Sequence, residues 1–183
     1  LYSEFMKAAL ENTSYFRPLA FDYPDDPDAR EVEDQLLLGE GLMAAPVYVQ
    51  NAHGRHVYLP EPMKLLRLRA VDDYDEEILP AGHHYIRCAL DEVLLFLRPG
   101  HIVPVAQPAN NTSELDDASL TLWSFLPDGE SAEYRMYRDD GVTTEYGRKS
   151  TGKRCRSIIP DRSVPERQDL PCAASCILQK TVL

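Results

Sequence analysis

Long hydrophobic runs are missing from this sequence. Runs such as Val93–Leu97 end within the length of a β-strand, whereas a membrane-spanning helix needs about 18 consecutive apolar residues. Positive charge is also scarce, because 19 Lys and Arg stand against 30 Asp and Glu, for a formal net charge of -11. Phosphate groups are bound by clustered Lys and Arg, so this composition argues against a nucleic acid or an anionic membrane as a partner.

Glycine-rich phosphate-binding loops are absent as well, since neither a G-x-G-x-x-G motif nor a P-loop occurs in the 183 residues. No basic segment leads into an apolar stretch, which is the pattern of a secretory signal. The sequence begins at Leu1 rather than at a methionine, which suggests a segment of a longer chain. We therefore expect a cytoplasmic protein whose cysteines are reduced.

Cysteine is too sparse to predict a metal centre. Cys88 stands alone in a strand-like segment, and the other three cysteines lie near the C-terminus. Cys172 and Cys176 are spaced as C-x-x-x-C, with Cys155 as the one further cysteine and no histidine nearby. This set fits the usual ligands of zinc poorly, and no structural metal is predicted from it.

The N-terminal part of the chain predicts longer elements than the rest. Apolar side chains recur at three- and four-residue spacing over residues 1–13, which predicts a helix. Residues 15–21 form an apolar run without alternation, as expected of a strand buried on both faces in a parallel barrel. After a proline-bearing acidic loop at 22–28, residues 29–38 are predicted to form a second helix that ends at a glycine.

From residue 42 onward, short strands alternate with turns rich in Pro and Gly. This rhythm predicts a mainly β fold, an antiparallel β-sandwich, with a domain boundary near residue 40. The predicted strands are 42–49, 55–59, 64–70, 83–89, 92–98, 102–106 and 120–125.

The C-terminal part divides into a hairpin and an unusual tail. Residues 133–146 predict a hairpin that turns at Asp139-Asp140-Gly141. The tail, 149–183, holds seven Lys and Arg against three acids, which reverses the charge of the rest of the chain. Because the tail has no sustained hydrophobic period, we predict that it is disordered or a non-native terminus.

Carboxylates are the first candidates for chemistry, because glycoside cleavage uses two carboxyl groups about 5 to 9.5 Å apart. Asp22, Asp25, Asp26 and Asp28 crowd the loop that follows the barrel-like strand, where a barrel enzyme could place active-site groups. Aspartate beside proline is also the ordinary composition of a turn. We favour the turn for these four residues.

Histidines and the single tryptophan are the remaining candidates. His53 and His56 have a metal-like spacing but fall at a predicted hairpin turn. His83 and His84 are neighbours in a predicted strand and so point to opposite faces. Trp123 lies in an apolar strand, where a core position is favoured over a sugar-stacking platform. Accordingly, the sequence predicts no catalytic, cofactor-binding or metal-binding residue in this chain.

Six segments, taken in order, resemble the C-terminal third of glycoside hydrolase family 31. The first resembles the last barrel strand of the family and its following loop, and the others resemble motifs written DDQFLLG, LLVAPV, VYLP, PLFVRAGSIIP and YEDDG. The segments are 16–26 (FRPLAFDYPDD), 33–39 (EDQLLLG), 42–47 (LMAAPV), 57–60 (VYLP), 93–104 (VLLFLRPGHIVP) and 137–141 (YRDDG).

The resemblance implies a retaining α-glucosidase that uses two aspartates and no cofactor. Those aspartates lie upstream of every matched segment, so the chain alone is expected to be inactive and to act structurally. Its implied partners are the missing catalytic (β/α)8 barrel and, through that barrel, α-glucoside oligosaccharides. Residues 63–77 stand where the family has the segment WYDFWTG, but they contain no tryptophan. This replacement resembles a subgroup of bacterial intestinal-type α-glucosidases.

The implied domains follow from the matched segments. Residues 1–40 would end the catalytic barrel, 41–128 would form a proximal β-sandwich, 129–148 would begin a distal one, and 149–183 would be the tail. Specificity for α-glucosides over α-xylosides is left open. Two other functions also remain open, a non-catalytic carbohydrate-binding module that uses Trp123 and a purely structural or interaction domain.

Overall fold

The computed structural model describes residues 1–112, 114–115, 120–127 and 130–137, and the backbone of 153–158 and 179–180. The predicted turn at 139–141 lies outside the described residues. Within the predicted tail, 149–183, the structure describes two short strands. The other tail residues, for which disorder was predicted, lie outside the described residues.

Among the described residues, helices lie only in the first 31 positions, and the rest consists of strands joined by turns and loops. The helices are α1 (Tyr2–Glu11), α2 (Leu19–Asp22) and α3 (Pro27–Glu31). The strands are β1 (Phe16–Pro18), β2 (Leu36–Leu38), β3 (Leu42–Ala44), β4 (Gly54–Leu59), β5 (Met63–Ala70), β6 (Asp73–Leu79), β7 (Gly82–Arg87), β8 (Val93–Leu97), β9 (His101–Ala106), β10 (Leu120–Phe125), β11 (Ser131–Met136), β12 (Lys153–Ile158) and β13 (Gln179–Lys180).

The strands form antiparallel sheets, which confirms the predicted mainly β fold. A six-stranded sheet has the order β1-β2-β3-β8-β5-β6, and two-stranded sheets are formed by β4 with β7 and by β9 with β10. A third small sheet pairs β11 with β12 and β12 with β13. Among the described residues, no helix combines the length and the apolar character that crossing a membrane requires.

The central strands β5 and β8 of the six-stranded sheet are buried on both faces, because consecutive apolar side chains along a strand point to opposite faces. In β8, Leu94 and Phe96 belong to the core shared with β4 and β7, which includes Val57. On the opposite face, Leu97 packs in a second cluster with Trp123 of β10. The β9–β10 pair therefore covers one face of the large sheet, and the β4–β7 pair covers the other.

The N-terminal segment differs from its predicted elements. The predicted strand 15–21 is reduced to β1, and residues 19–22 turn into the single-turn helix α2. β1 pairs antiparallel with β2 at the edge of the sheet, and Phe16 is 44% exposed. In this chain the segment is therefore not a strand buried on both faces.

The prediction of a helix at 29–38 is wrong for its second half. Asp26 caps α3 by accepting bonds from the backbone N–H groups of Asp28 and Ala29, at 3.0 and 3.2 Å, and the helix ends at Glu31. Residues 36–38 form β2 instead, paired with β1 and β3. Three consecutive leucines satisfy a helical or a strand period equally well, and only their neighbours in the sheet decide between them.

β6 was not predicted because its sequence is mostly acidic. Its carboxylates face the basic side chains of β5 across the pair: Lys64 Nζ lies 3.1 Å from Glu76, and Arg69 lies 2.9 and 3.0 Å from Asp73 and Asp75. Cross-strand pairs of opposite charge stabilise neighbouring strands. β6 has no alternating apolar residues, and its ion pairs with β5 therefore help to hold it in the sheet.

We expect Phe96→Ala to lower the free energy of unfolding by about 3–5 kcal/mol, because the fully buried ring would leave a cavity in the core. Urea denaturation followed by circular dichroism measures the change. Ile78→Ala on β6 is the control, since Ile78 is 61% exposed and its loss should cost no more than about 0.5 kcal/mol. Equal costs for the two variants would contradict the assigned core.

Candidate functional site

Asp22, the first of the candidate aspartates, is held between two arginines. Arg17 donates to both carboxylate oxygens, from Nε at 2.8 Å and from Nη2 at 3.0 Å. Arg98, which directly follows β8, donates to the same carboxylate from Nη1 at 2.9 Å. The hydrogen bonds from Arg17, and the positive charge of both arginines, lower the pKa of Asp22. A carboxyl group with a lowered pKa is a poor proton donor near neutral pH.

Arg98 also reaches Glu61, which lies between β4 and β5. Its Nε lies 2.9 Å from Glu61 Oε1, and its Nη1 donates to the backbone oxygen of Glu40 at 3.1 Å. Tyr23 donates its hydroxyl to the same Glu61 oxygen at 2.5 Å, and burial together with this bond raises the pKa of Tyr23. We call Arg17, Asp22, Tyr23, Glu61 and Arg98 the arginine clamp.

The next aspartates of the loop also face the sandwich. Asp26, besides capping α3, accepts a hydrogen bond from the hydroxyl of Tyr58 at 2.6 Å, and this bond is the main reason that the pKa of Asp26 is lowered. Asp28 Oδ2 lies 3.3 Å from His83 Nε2, and Asp25 is exposed. The predicted loop is therefore shorter than 22–28, because Asp22 ends α2 and Asp28 lies in α3, which leaves Asp25 and Asp26 between the two helices.

The candidate histidines do not converge on a metal. His84 Nε2 lies 2.8 Å from the backbone oxygen of Pro80, whereas His83 is near Asp28 on the other face of β7. Among the residues that the structure describes, no group of three or more His, Cys, Asp or Glu side chains could hold a metal ion.

Trp123 is a core residue, as favoured from its sequence context. It is 7% exposed, and its ring meets that of Tyr74 edge to face at 5.5 Å. Its indole Nε1 has no hydrogen-bond partner in the described part of the chain. A buried ring cannot stack on a sugar from solution, so Trp123 is excluded as a binding platform.

A polar contact that sequence reasoning missed joins α1 to β11. Glu4 accepts a hydrogen bond from the hydroxyl of Tyr134 at 2.5 Å, and Lys7 Nζ lies 4.1 Å from the centre of the Tyr134 ring. The hydroxyl of Ser3 accepts a bond from the backbone N–H of Tyr137 at 3.1 Å. Because the partners are about 130 positions apart in sequence, no local pattern could have indicated these contacts.

The same N-terminal segment exposes large apolar side chains. Phe5 and Phe21 are 51% and 68% exposed, and ring contacts at 5.9 and 4.6 Å connect Phe5 to Tyr15 and Tyr15 to Phe16. We call the exposed apolar residues before β3 the N-terminal apolar surface. They are Leu1, Tyr2, Phe5, Leu10, Phe16, Phe21 and Leu36.

The clamp should make stability depend on acid pH. A carboxyl group with a lowered pKa stabilises the fold above its ordinary pKa of 3.8, and this stabilisation is lost as pH falls towards the lower folded-state value. We expect Arg17→Ala to weaken the dependence on pH below 4, because the pKa of Asp22 returns towards the ordinary value. Thermal unfolding from pH 5 to pH 2 measures this, and an unchanged pH profile would contradict it.

Arg98→Ala should lower the free energy of unfolding by about 1.5–3 kcal/mol, because hydrogen bonds from a charged donor to two carboxylates are lost. The control is Arg30→Ala, an exposed arginine of α3 that is outside the clamp. Urea denaturation at neutral pH compares the two variants. If the two variants lower the free energy of unfolding equally, the clamp does not hold the N-terminal segment.

Comparison with known proteins identifies the family of this chain. Residues 12–103 match the model of the glycosyl hydrolase family 31 C-terminal domain. The chain is 29% identical over 147 residues to α-glucosidase 2 of Bacillus thermoamyloliquefaciens, covering 80% of this chain and 18% of the relative. It is 31% identical over 150 residues to neutral α-glucosidase AB of Mus musculus, covering 79% of this chain and 15% of the relative.

A solved structure of an enzyme from the same family has a similar fold. The α-xylosidase of family 31 from Xanthomonas citri superposes with a TM-score of 0.69 at 25% identity, over 86% of this chain and 16% of that one. The chain thus spans less than a fifth of the relatives it matches. It belongs to glycosyl hydrolase family 31 and corresponds to the C-terminal part of the enzymes of that family.

Proposed function

We propose that this chain is the C-terminal portion of a retaining α-glucosidase-type hydrolase that releases terminal α-linked glucose from oligosaccharides. Its role is structural: it completes and supports a catalytic (β/α)8 barrel that the rest of the enzyme supplies. The N-terminal apolar surface is the observation that carries this proposal. Half of the large exposed hydrophobic side chains of the described residues lie on it, before β3.

An apolar surface of this kind favours a covered state. Phe5, Phe16 and Phe21 place three phenyl rings in water, each 44% exposed or more. Burial of apolar area contributes about 25 cal/mol per Å², and large exposed apolar patches mark interaction sites. The missing barrel is the partner that would bury these rings.

The arginine clamp also supports the proposal. It ties residues 17–23 to the ends of β4 and β8, and α1 is tied separately to β11. The segment that would pack on the barrel is therefore anchored to the sandwich at two places. In this division residues 1–40 end the barrel, 41–128 form the proximal sandwich and 129–148 begin the distal one.

We also propose that the chain alone has no catalytic residue. Asp22 and Asp26 are committed to Arg17, Arg98 and Tyr58, and both have lowered pKa values. The carboxyl groups that perform the reaction would belong to the barrel. A cytoplasmic location and the relation to a bacterial intestinal-type subgroup both stay predictions.

The choice between α-glucosides and α-xylosides would rest with the barrel. The relatives include α-glucosidases and an α-xylosidase of Saccharolobus solfataricus that is 29% identical over 133 residues. A supporting sandwich can serve either substrate, because the fold does not determine the function of the site that it carries.

The purified chain should not hydrolyse p-nitrophenyl α-glucoside. Release of p-nitrophenol, followed by absorbance, measures this directly. Hydrolysis above the background of a preparation made from an empty expression host would show that the chemistry lies within these residues, and would overturn the proposal.

Association with a barrel tests the structural role. We expect the chain to bind a fragment of α-glucosidase 2 of Bacillus thermoamyloliquefaciens that lacks the matched C-terminal part, and to raise its activity. Phe5→Ser combined with Phe21→Ser should reduce this binding at least tenfold, because two exposed rings leave the N-terminal apolar surface.

The matched control places the same change elsewhere. Ile78→Ser and Leu90→Ser remove exposed apolar side chains that lie outside the N-terminal apolar surface, at 61% and 106% exposure. These variants should bind the barrel fragment as the parent chain does. Equal loss for both pairs, or no binding by the parent chain, would argue against a role for the N-terminal surface.

A further inference from the structure

His101, the first residue of β9, lies on the inward face of the β9–β10 pair. Residues that stand opposite each other in an antiparallel pair share one face of it, and the register sets His101 opposite Phe125 and Val103 opposite Trp123. Val103, Trp123 and Phe125 belong to the apolar cluster that packs against the six-stranded sheet. The imidazole therefore lies at the end of a row of core side chains, between the two layers.

The large sheet approaches His101 at Gly41, directly before β3. A side-chain carbon placed on Gly41 would lie 2.9 Å from Cβ of His101 and 3.3 Å from Cγ2 of Val103, which is closer than side chains normally approach. The backbone oxygen of Gly41 is fixed by the backbone N–H of Arg98 at 3.0 Å. His101 thus fills the space between β9 and the start of β3, and only a glycine permits this contact.

His101 also lines a cavity of about 210 Å³ at the junction of the N-terminal segment and the sandwich. Glu4 of α1 and Tyr15 line it from the N-terminal segment, and Trp123 lines it from the sandwich. Within the part of the chain that the structure describes, neither ring nitrogen of His101 has a hydrogen-bond partner. A charged imidazole would lose hydration here without gaining a fixed partner, which disfavours the charged form.

The neighbouring cations also oppose a charge on His101. Burial is the main cause that lowers the pKa of His101, and the positive charge of Arg98 is the next. Lys7 adds to this effect, whereas Glu40 and Glu61 act against it. The neutral ring is therefore the form that suits the closed contact.

The carboxylates near the ring offer little compensation. Glu61 is bonded to Arg98, and Glu4 is bonded to Lys7 and to the hydroxyl of Tyr134. Glu40 is exposed, so water and salt screen its charge. The other ionisable groups that line the cavity belong to Leu1 at the amino terminus, Tyr15 and Glu133.

This histidine departs from the motif that its segment resembles. In PLFVRAGSIIP the residue after the glycine is serine, whereas in this chain Gly100 is followed by His101. Serine does not titrate near neutral pH, while histidine is the side chain whose ordinary pKa lies there. A response to pH in this range would belong to this chain rather than to the motif.

We propose that His101 is a pH-sensitive contact between the β9–β10 pair and the N-terminal segment, and that protonation of its imidazole loosens this contact. As pH falls below 6.5, an opened state with a hydrated ring binds a proton more readily than the closed state, so the closed state loses stability. This window is separate from that of Asp22, which lies below pH 4. The proposal concerns this chain alone and does not depend on its role beside a barrel.

The fluorescence of Trp123, the only tryptophan of the 183 residues, measures the opening, because this residue lines the same cavity. Between pH 7.5 and pH 5.5 we expect its emission maximum to move to longer wavelength and its quenching by acrylamide to increase. His101→Ser should remove both changes, because the serine of the motif has no group that titrates in this range. His53→Ser is the matched control, since it makes the same change at an exposed histidine before β4 and should keep the response of the parent chain.

Nuclear magnetic resonance titration of His101 in the parent chain tests the sign of the effect without any variant. We expect a midpoint below 6.5, and a midpoint above 6.5 would mean that protonation tightens the contact, which would overturn the proposal. Emission from the parent chain that does not change with pH would overturn it as well. The same holds for an equal change in His101→Ser, or for loss of the response in His53→Ser.

Discussion

The arginine clamp is the interaction on which the rest of the structure depends. Arg98 joins Asp22 of the N-terminal segment to Glu61 of the sandwich, and Arg17 holds the same aspartate from its other side. Residues 22 and 98 are 76 positions apart, so the clamp closes a long loop of chain. In this partly buried setting water screens the charges less than on an open surface. The N-terminal segment is thereby held on the sandwich while its apolar side chains remain exposed.

The exposed apolar side chains of the N-terminal segment determine its proposed partner. The N-terminal apolar surface has phenyl rings such as Phe5 and Phe21, and its exposure in water is unfavourable until another protein surface covers it.

Much of the sandwich was predictable because turn residues and alternation are local signals. β4, β5 and β7 to β10 fall within two residues of their predicted positions or closer. β6 was missed because its stability comes from Arg69 and its other basic neighbours on β5 rather than from its own residues. The four candidate aspartates were interpreted as turn residues, whereas Asp22 ends α2 and Asp28 lies in α3. The partners of Asp22 could not be named from the sequence, since Arg98 follows a distant strand.

By itself, the sequence determined the mainly β class and the resemblance to family 31, and it favoured a core position for Trp123. These features depend on composition, short-range periodicity and linear motifs, all of which can be read along the chain. Only the tertiary structure decided that Leu36–Leu38 is a strand, that two arginines share Asp22, and that His56 and Tyr85 lie side by side. Such contacts arise when strands pair across long stretches of sequence, and the register of that pairing is set by packing rather than by local pattern.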